Sequence, residues 1–241
     1  MPEKFSASRA ARMMACHASA NLDIAIEGWQ PPVVDPTADN AANRGTHMHE
    51  LMAKLMELSA SNLRKFSEAL TYIAELRSRR RFNVMIEQVV ECDWLPSKPK
   101  TTADLVLHVQ DEIHIVDLKT GKIPVSAVDN QQLLFYAASY GHLAPKAKGV
   151  WLHIVQPWAN VVEVWFADTL TIAQFMNDAI AADNAIAAGS TQFAPTDGCQ
   201  FCPANPHSRG LKGSPLCPVM LDLLYPQYPI DEAAILGGLD E

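Results

Sequence analysis

Hydrophobic and polar positions alternate with two different periods along this chain, and the change of period divides it. From Ser8 to Leu22, alanines, methionines and a leucine follow two serines, which predicts a helix with Ser6 or Ser8 as its N-cap and Cys16 on its surface. Gly28 to Arg44 carries Pro31, Pro32 and Pro36 among polar residues and reads as a linker or loop. Met48, Leu51, Met52, Leu55 and Met56, then Phe66, Leu70, Ile73 and Leu76, recur at helical spacing, so Thr46–Glu57 and Leu63–Arg79 are expected to form a helical hairpin. The period then shortens. Asn83–Cys92, Ala103–Val109 and Glu112–Leu118 are rich in Val, Ile and Leu, with Gln110-Asp111 as a turn, and predict three successive strands, the last two antiparallel. Asp129–Tyr140 reads as a helix, Gly149–Val155 and Val161–Phe166 as strands, and Thr169–Ala188 as a long Ala-rich helix, with loop beyond Gly189. This order argues a mixed α/β core.

Composition narrows the class. With 241 residues, 49% hydrophobic and 19% charged, the chain suits one globular body with an appendage rather than a disordered polymer or a disulfide-dense mini-protein. Nineteen basic residues against twenty-seven acidic ones leave a net charge of −8, so any nucleic-acid contact has to come from a local patch. The start Met1-Pro2-Glu3-Lys4 lacks a signal-peptide apolar stretch and no run is long enough to span a membrane, which reads as a cytoplasmic protein.

The five cysteines are unevenly placed. Cys199 and Cys202 form a C-x2-C, Cys217 follows after fourteen intervening residues, Cys16 lies near the N-terminus, and Cys92 stands inside a strand. Thiolates at C-x2-C spacing can turn toward one ion or cluster, and the Gly- and Pro-rich surroundings suit a loop wrapped around a metal. An iron–sulfur cluster, zinc with His207 nearby, and buried apolar thiols are the three open uses.

A second constellation ends the strand Glu112–Leu118. Asp117 and Lys119 are two apart and share a strand face, and a tight turn at Gln110-Asp111 would set Asp104 opposite Asp117. Two carboxylates at one sheet edge can bind a hard divalent cation. An adjacent lysine can position water and stabilise charge developing on a phosphate, which is metal-assisted phosphodiester hydrolysis. Glu87, on the first strand, and His49, on the helix opening at Gly45-Thr46, are candidates to complete the site.

Gly45-Thr46-His47-Met48-His49-Glu50, Thr102-Ala103-Asp104, Ile115-Val116-Asp117-Leu118-Lys119-Thr120-Gly121 and Gln132-Leu133-Leu134-Phe135-Tyr136 together resemble the ordered motifs of PD-(D/E)xK nucleases of the RecB type, nearest to phage and prophage members. Thr102 stands where that family commonly has glycine. The resemblance implies a restriction-endonuclease-like mixed sheet flanked by helices. It implies a site of His49, Asp104, Asp117, Lys119, Gln132 and Tyr136, with Mg²⁺ or Mn²⁺ held by Asp104, Asp117, His49 and the Leu118 carbonyl. AddB-like helicase-nucleases and the exonucleases of CRISPR adaptation carry a [4Fe–4S] cluster on one upstream and three downstream cysteines, an arrangement that Cys16, Cys199, Cys202 and Cys217 resemble. The expected organisation is then an N-terminal helix in 1–30, a nuclease core in 45–190, and a cluster loop and tail in 191–241, with the ends clasped by the cluster. DNA ends or single strands are the implied substrate, and a recombinase, annealing protein or helicase the implied partner. A non-catalytic binding subunit is the competing reading, and intact Asp104, Asp117 and Lys119 weigh against it. Arg77, Arg79, Arg80 and Arg81 form the one dense basic run, and Trp151, Trp158 and Trp165 are candidates for base stacking, with burial expected for Trp151.

Overall fold

A computed structural model of the chain describes residues 5–31, 46, 50, 54, 68–79, 82–121, 123–159, 161–205 and 216–224. Its centre is a five-stranded mixed sheet in the order β1 (Asn83–Glu91), β2 (Lys100–Val109), β3 (Glu112–Leu118), β4 (Gly149–Gln156) and β5 (Val161–Asp168). All neighbours are antiparallel except β3 and β4, which run parallel because α4 (Gln131–Tyr140) carries the chain back between them. The helices α1 (Ala10–Ala15), α2 (Leu22–Ala25), α3 (Glu68–Arg79), α5 (Thr169–Ala187) and α6 (Pro218–Leu224) complete the described elements.

Each sheet face has its own apolar layer. Ile113 and Ile115 of β3 point to a layer shared with Leu133, Phe135 and Ala137 of α4 and with Phe175 and Ala179 of α5, all buried. Val116 and Leu118, from the alternate positions of the same strand, meet Ile73 and Ala74 of α3 on the other side. β3 and β4 are buried along most of their length on both faces, and their buried polar members Asp117, His153 and Gln156 are all hydrogen-bonded.

The helices α4 and α5 both start on a side-chain cap. Asn130 accepts from the backbone N–H groups of Gln132 and Leu133 at 3.1 Å each, which fixes the first turn of α4. Asp168 caps α5 through the N–H of Thr171 at 2.7 Å, and this hydrogen bond lowers its carboxyl pKa. At the far end of α5, Gly189 takes φ +81°, and the N–H of Ser190 reaches back to the carbonyl of Ala185.

The N-terminal segment differs from its expected form. The continuous helix expected from Ser8 to Leu22 is broken: α1 ends at Ala15, Cys16 is extended at φ −132° and ψ 91°, and a 3-10 turn follows over His17–Ser19. Ser6 occupies the N-cap position of the preceding 3-10 turn but makes no side-chain cap. The break has a cause in local bonding, since Ser19 Oγ donates to the Cys16 carbonyl at 2.7 Å and the Ala18 N–H is taken by Gln192. Phe5, Ala7, Ala10 and Met13 join the main core, with Phe5 stacked on Phe135 at 6.1 Å. The segment is thus part of the core layer rather than an appendage.

Trp151 corrects another expectation. It is 38% exposed, lying flat against His114 on the α3 side of the sheet, because β4 is apolar on both faces and periodicity does not say which tryptophan lies at the margin. The basic run and the proposed loop after Gly28 fall on residues whose side chains or backbone lie largely outside the described residues, as does most of the expected helical hairpin.

Beneath α3, His153 is 1% exposed, with Nδ1 2.9 Å from the Tyr72 hydroxyl and Nε2 3.1 Å from His114 Nδ1. Burial first, and His114 second, push its pKa down to about 3. The unfolded chain binds this proton near the ordinary histidine value, so stability is full above about pH 6.5 and is lost as the pH falls toward 3. Urea unfolding at pH 7 and pH 5 should show a loss on the order of 2 kcal/mol that His153→Gln removes. An equal loss in that variant would assign the acid lability elsewhere.

Candidate active site and cysteine pocket

The site is built on the register of two strands. In the β2–β3 ladder Leu105 faces Val116, Val106 faces Ile115 and Leu107 faces His114. The next position in the same register sets Asp104 against Asp117, both on the α4 side and both buried, at 9% and 2% exposure. Asp104 accepts from the backbone N–H of Leu118 at 2.6 Å.

Lys119 and Gln132 brace Asp117 from two sides. Lys119 Nζ lies 2.8 Å from Asp117 Oδ2 and donates to Gln132 Oε1 at 2.7 Å. The Gln132 amide donates to Asp117 Oδ1 at 3.0 Å and to the Tyr136 hydroxyl at 2.9 Å. One amide therefore holds a lysine, a carboxylate and a phenol, and its place is fixed by the Asn130 cap one residue before α4 begins. Tyr136 is one helical turn further on and 6% exposed. Its pKa is raised well above the usual value, by burial first and then by the charge of Asp117, with Asp104 adding to it. The phenol keeps its proton.

Glu87 belongs to the same register, opposite Asp104 on the other side of β2, but its backbone leaves the ladder at φ +48° and it is exposed. Tyr140 explains the gap: its hydroxyl accepts from the Ala103 N–H at 3.2 Å and donates to the Gln88 carbonyl, taking up two groups that face each other across β1 and β2. His49 lies outside the described residues. Among the described residues no three His, Cys, Asp or Glu side chains are gathered so as to hold a metal ion as they stand. The donor set nevertheless suits a hard cation, because two adjacent buried carboxylates outnumber the single lysine, which is paired with Asp117.

Four cysteines border the other functional candidate, without converging to metal-holding distance in this arrangement. Cys16, Cys199, Cys202 and Cys217 border one small pocket with Arg12, Ser19 and Phe193. Cys202 and Cys217 are buried, and burial pushes both thiols up in pKa, while the Arg12 guanidinium bonded to Cys202 acts in the opposite sense. The Thr196 N–H points at Cys199 Sγ from 3.3 Å. Gly198 lets the Arg12 side chain lie against this turn, since a Cβ there would stand 2.9 Å from Arg12 Cβ. A buried cation, an N–H aimed at sulfur and four thiols from both ends of the chain suit an anionic thiolate-held group. Cys92 is elsewhere, buried against Ser139, and takes no part.

A family model described as "Protein of unknown function (DUF2800)" matches residues 61–216. The chain belongs to that family. The matched span contains Asp104, Asp117, Lys119, Gln132, Tyr136, Cys199 and Cys202. No curated protein matches. Among solved structures, the chain is similar to that of SSO0001 at 14% identity and a TM-score of 0.42, covering 88% of this chain and 85% of the other. It is also similar to an alkaline exonuclease (LHK-Exo) from Laribacter hongkongensis at 14% identity and a TM-score of 0.43, covering 77% of this chain and 88% of that one. The same exonuclease in complex with dAMP aligns at 13% identity and a TM-score of 0.33, over 74% of this chain and 91% of the other.

The kink at Glu87 yields a stability prediction. A left-handed backbone at a glutamate costs roughly 1 kcal/mol that glycine does not incur. Chemical unfolding of Glu87→Gly should therefore show unchanged or slightly raised stability; a loss of 2 kcal/mol or more, on the order seen when a buried partner is removed, would mean that the side chain anchors β1.

Proposed function

We propose that this protein is a metal-dependent DNA nuclease that hydrolyses phosphodiester bonds at the Asp104–Asp117–Lys119 site and acts on single strands or DNA ends. The observation that supports it most is the opposition of Asp104 and Asp117 with Lys119 on the second of them. Asp104 and Asp117 would hold Mg²⁺ or Mn²⁺, with His49 and the Leu118 carbonyl as further ligands. The bound cation would supply Lewis acidity toward a phosphoryl oxygen and a water of lowered pKa.

The chain's own residues do the rest. Lys119, held between Asp117 and Gln132, has one N–H left, to orient the attacking water or to bond a phosphoryl oxygen as its charge grows. Gln132 keeps that ammonium in place, so it is a positioning residue. Tyr136 accepts from Gln132 and, still protonated, has its own O–H to give to a phosphate or sugar oxygen. Glu87 enters the site on this reading only if substrate or metal draws its exposed carboxylate inward.

The cysteine pocket is assigned a structural [4Fe–4S] cluster on Cys16, Cys199, Cys202 and Cys217, with zinc as the lesser alternative. Such a group would join the first helix to the C-terminal loop and add its binding free energy to the fold. A role in DNA recombination or processing, beside a recombinase, annealing protein or helicase, completes the proposal.

Two outcomes are expected. On end-labelled linear DNA with Mn²⁺ or Mg²⁺, wild type degrades the substrate, EDTA stops it, and Asp117→Ala and Lys119→Ala each lose at least about a hundredfold in rate, as removal of one charge-stabilising group does elsewhere. Full activity in either variant contradicts the assignment. Anaerobically purified Cys16→Ala should contain far less iron and melt at lower temperature than wild type; undiminished iron would remove Cys16 from the ligand set.

A further inference from the structure

A broad groove runs from the start of α4 to the cysteine loop. Gln132, which braces Lys119 and Asp117, also lines this groove, together with Asn130 and Gln131 at the start of α4, Arg9 of the N-terminal segment, and Gln200 and Phe201 of the 3-10 turn Asp197–Phe201. Phe201 is 73% exposed although it lies between Cys199 and Cys202, both of which border the buried pocket. A large apolar ring kept in water costs hydrophobic free energy that a ligand's flat surface would return.

The charge of the groove says how that ligand is held. Arg9 and the buried Arg12 are matched by Asp129 and Asp197 on the same walls, so phosphate neutralisation contributes little net attraction. What the walls offer is a π-face and a row of amides, the groups that stack on bases and hydrogen-bond their edges.

We propose that this groove is a single-stranded DNA track, in which Phe201 stacks on an unpaired base a few nucleotides from the phosphate at the acids and the amides of Gln131 and Gln200 contact base edges. This rests on the nuclease reading and adds the form of the substrate: a strand unpaired beside the cut. The cysteine loop acquires a second task, since whatever fixes Cys199 and Cys202 also fixes Phe201 between them.

The test is equilibrium binding of a fluorescein-labelled oligo-dT of about 12 nucleotides, within the range that one single-strand site occupies, to full-length Asp117→Ala protein. Adding Phe201→Ala should weaken binding about tenfold, adding Phe201→Trp should preserve it, and the affinity of the parent should fall only shallowly with salt. Circular dichroism and iron content, unchanged from the parent, confirm that each variant is folded. A 5-iodouracil oligonucleotide should cross-link to the peptide containing Phe201. Unchanged affinity in the Phe201→Ala protein overturns the track, and if wild type still cleaves DNA the nuclease reading stands without it. Phe201-dependent binding by a wild type that never cleaves with Mn²⁺ or Mg²⁺ upholds the track and overturns the nuclease reading.

Discussion

The pairing of β2 with β3 is the constraint on which the strand-end chemistry depends. A shift by one residue would carry Asp117 to the α3 face and leave Asp104 opposite a hydrophobic residue, because strand faces alternate at every position. The register is held by the apolar layers on both faces, which accept only one alternation. Those layers stabilise a site that is itself unfavourable, with two buried carboxylates against one ammonium. The Leu118 N–H and the Gln132 amide offset part of that cost by bonding one carboxylate each. They leave the pair negative, and this imbalance is what a divalent cation would relieve.

The helix α4 connects the sheet to everything else. Its capped first turn presents Gln132 to the acids, its middle packs Phe135 against Phe5 of the N-terminal segment, and its last turn sends Tyr140 between β1 and β2. The N-terminal segment is tied independently to the end of α5, where Asn21 donates to the carbonyls of Ile186 and Ser190 and His17 meets Ser190. Cys16 therefore reaches the cysteine pocket by ordinary protein contacts before any bound group is considered. A cluster there would reinforce an existing closure rather than create one.

Much of this was legible in the residues. The Gln110-Asp111 turn set the β2–β3 register, and Glu112–Leu118 was bounded correctly because turn and apolar run agree there; Gln110 takes the left-handed φ of +52° that such a turn favours. The spacing of Gln132 and Tyr136 likewise predicted two groups on one helical stripe, and the structure joins them by a hydrogen bond. Other features depend on residues distant in sequence. The break at Cys16 needs Gln192, the kink at Glu87 needs Tyr140, and the buried His153 needs Tyr72 and His114, so no local period announces them. Periodicity alone predicts burial for Trp151, because an apolar run covered on both faces hides which of its members lies at the margin. Phe201 gave no signal at all inside a cysteine loop.

The most direct measurement of the central claim is the binding of Mn²⁺, followed by the loss of its free-ion electron paramagnetic resonance signal on titration with protein. Asp104 and Asp117 are the carboxylates argued to hold the cation, so wild type should sequester Mn²⁺ and the double variant Asp104→Ala/Asp117→Ala should not, with the two proteins equally folded. Equal sequestration by both would place the ion elsewhere and contradict the account of this site.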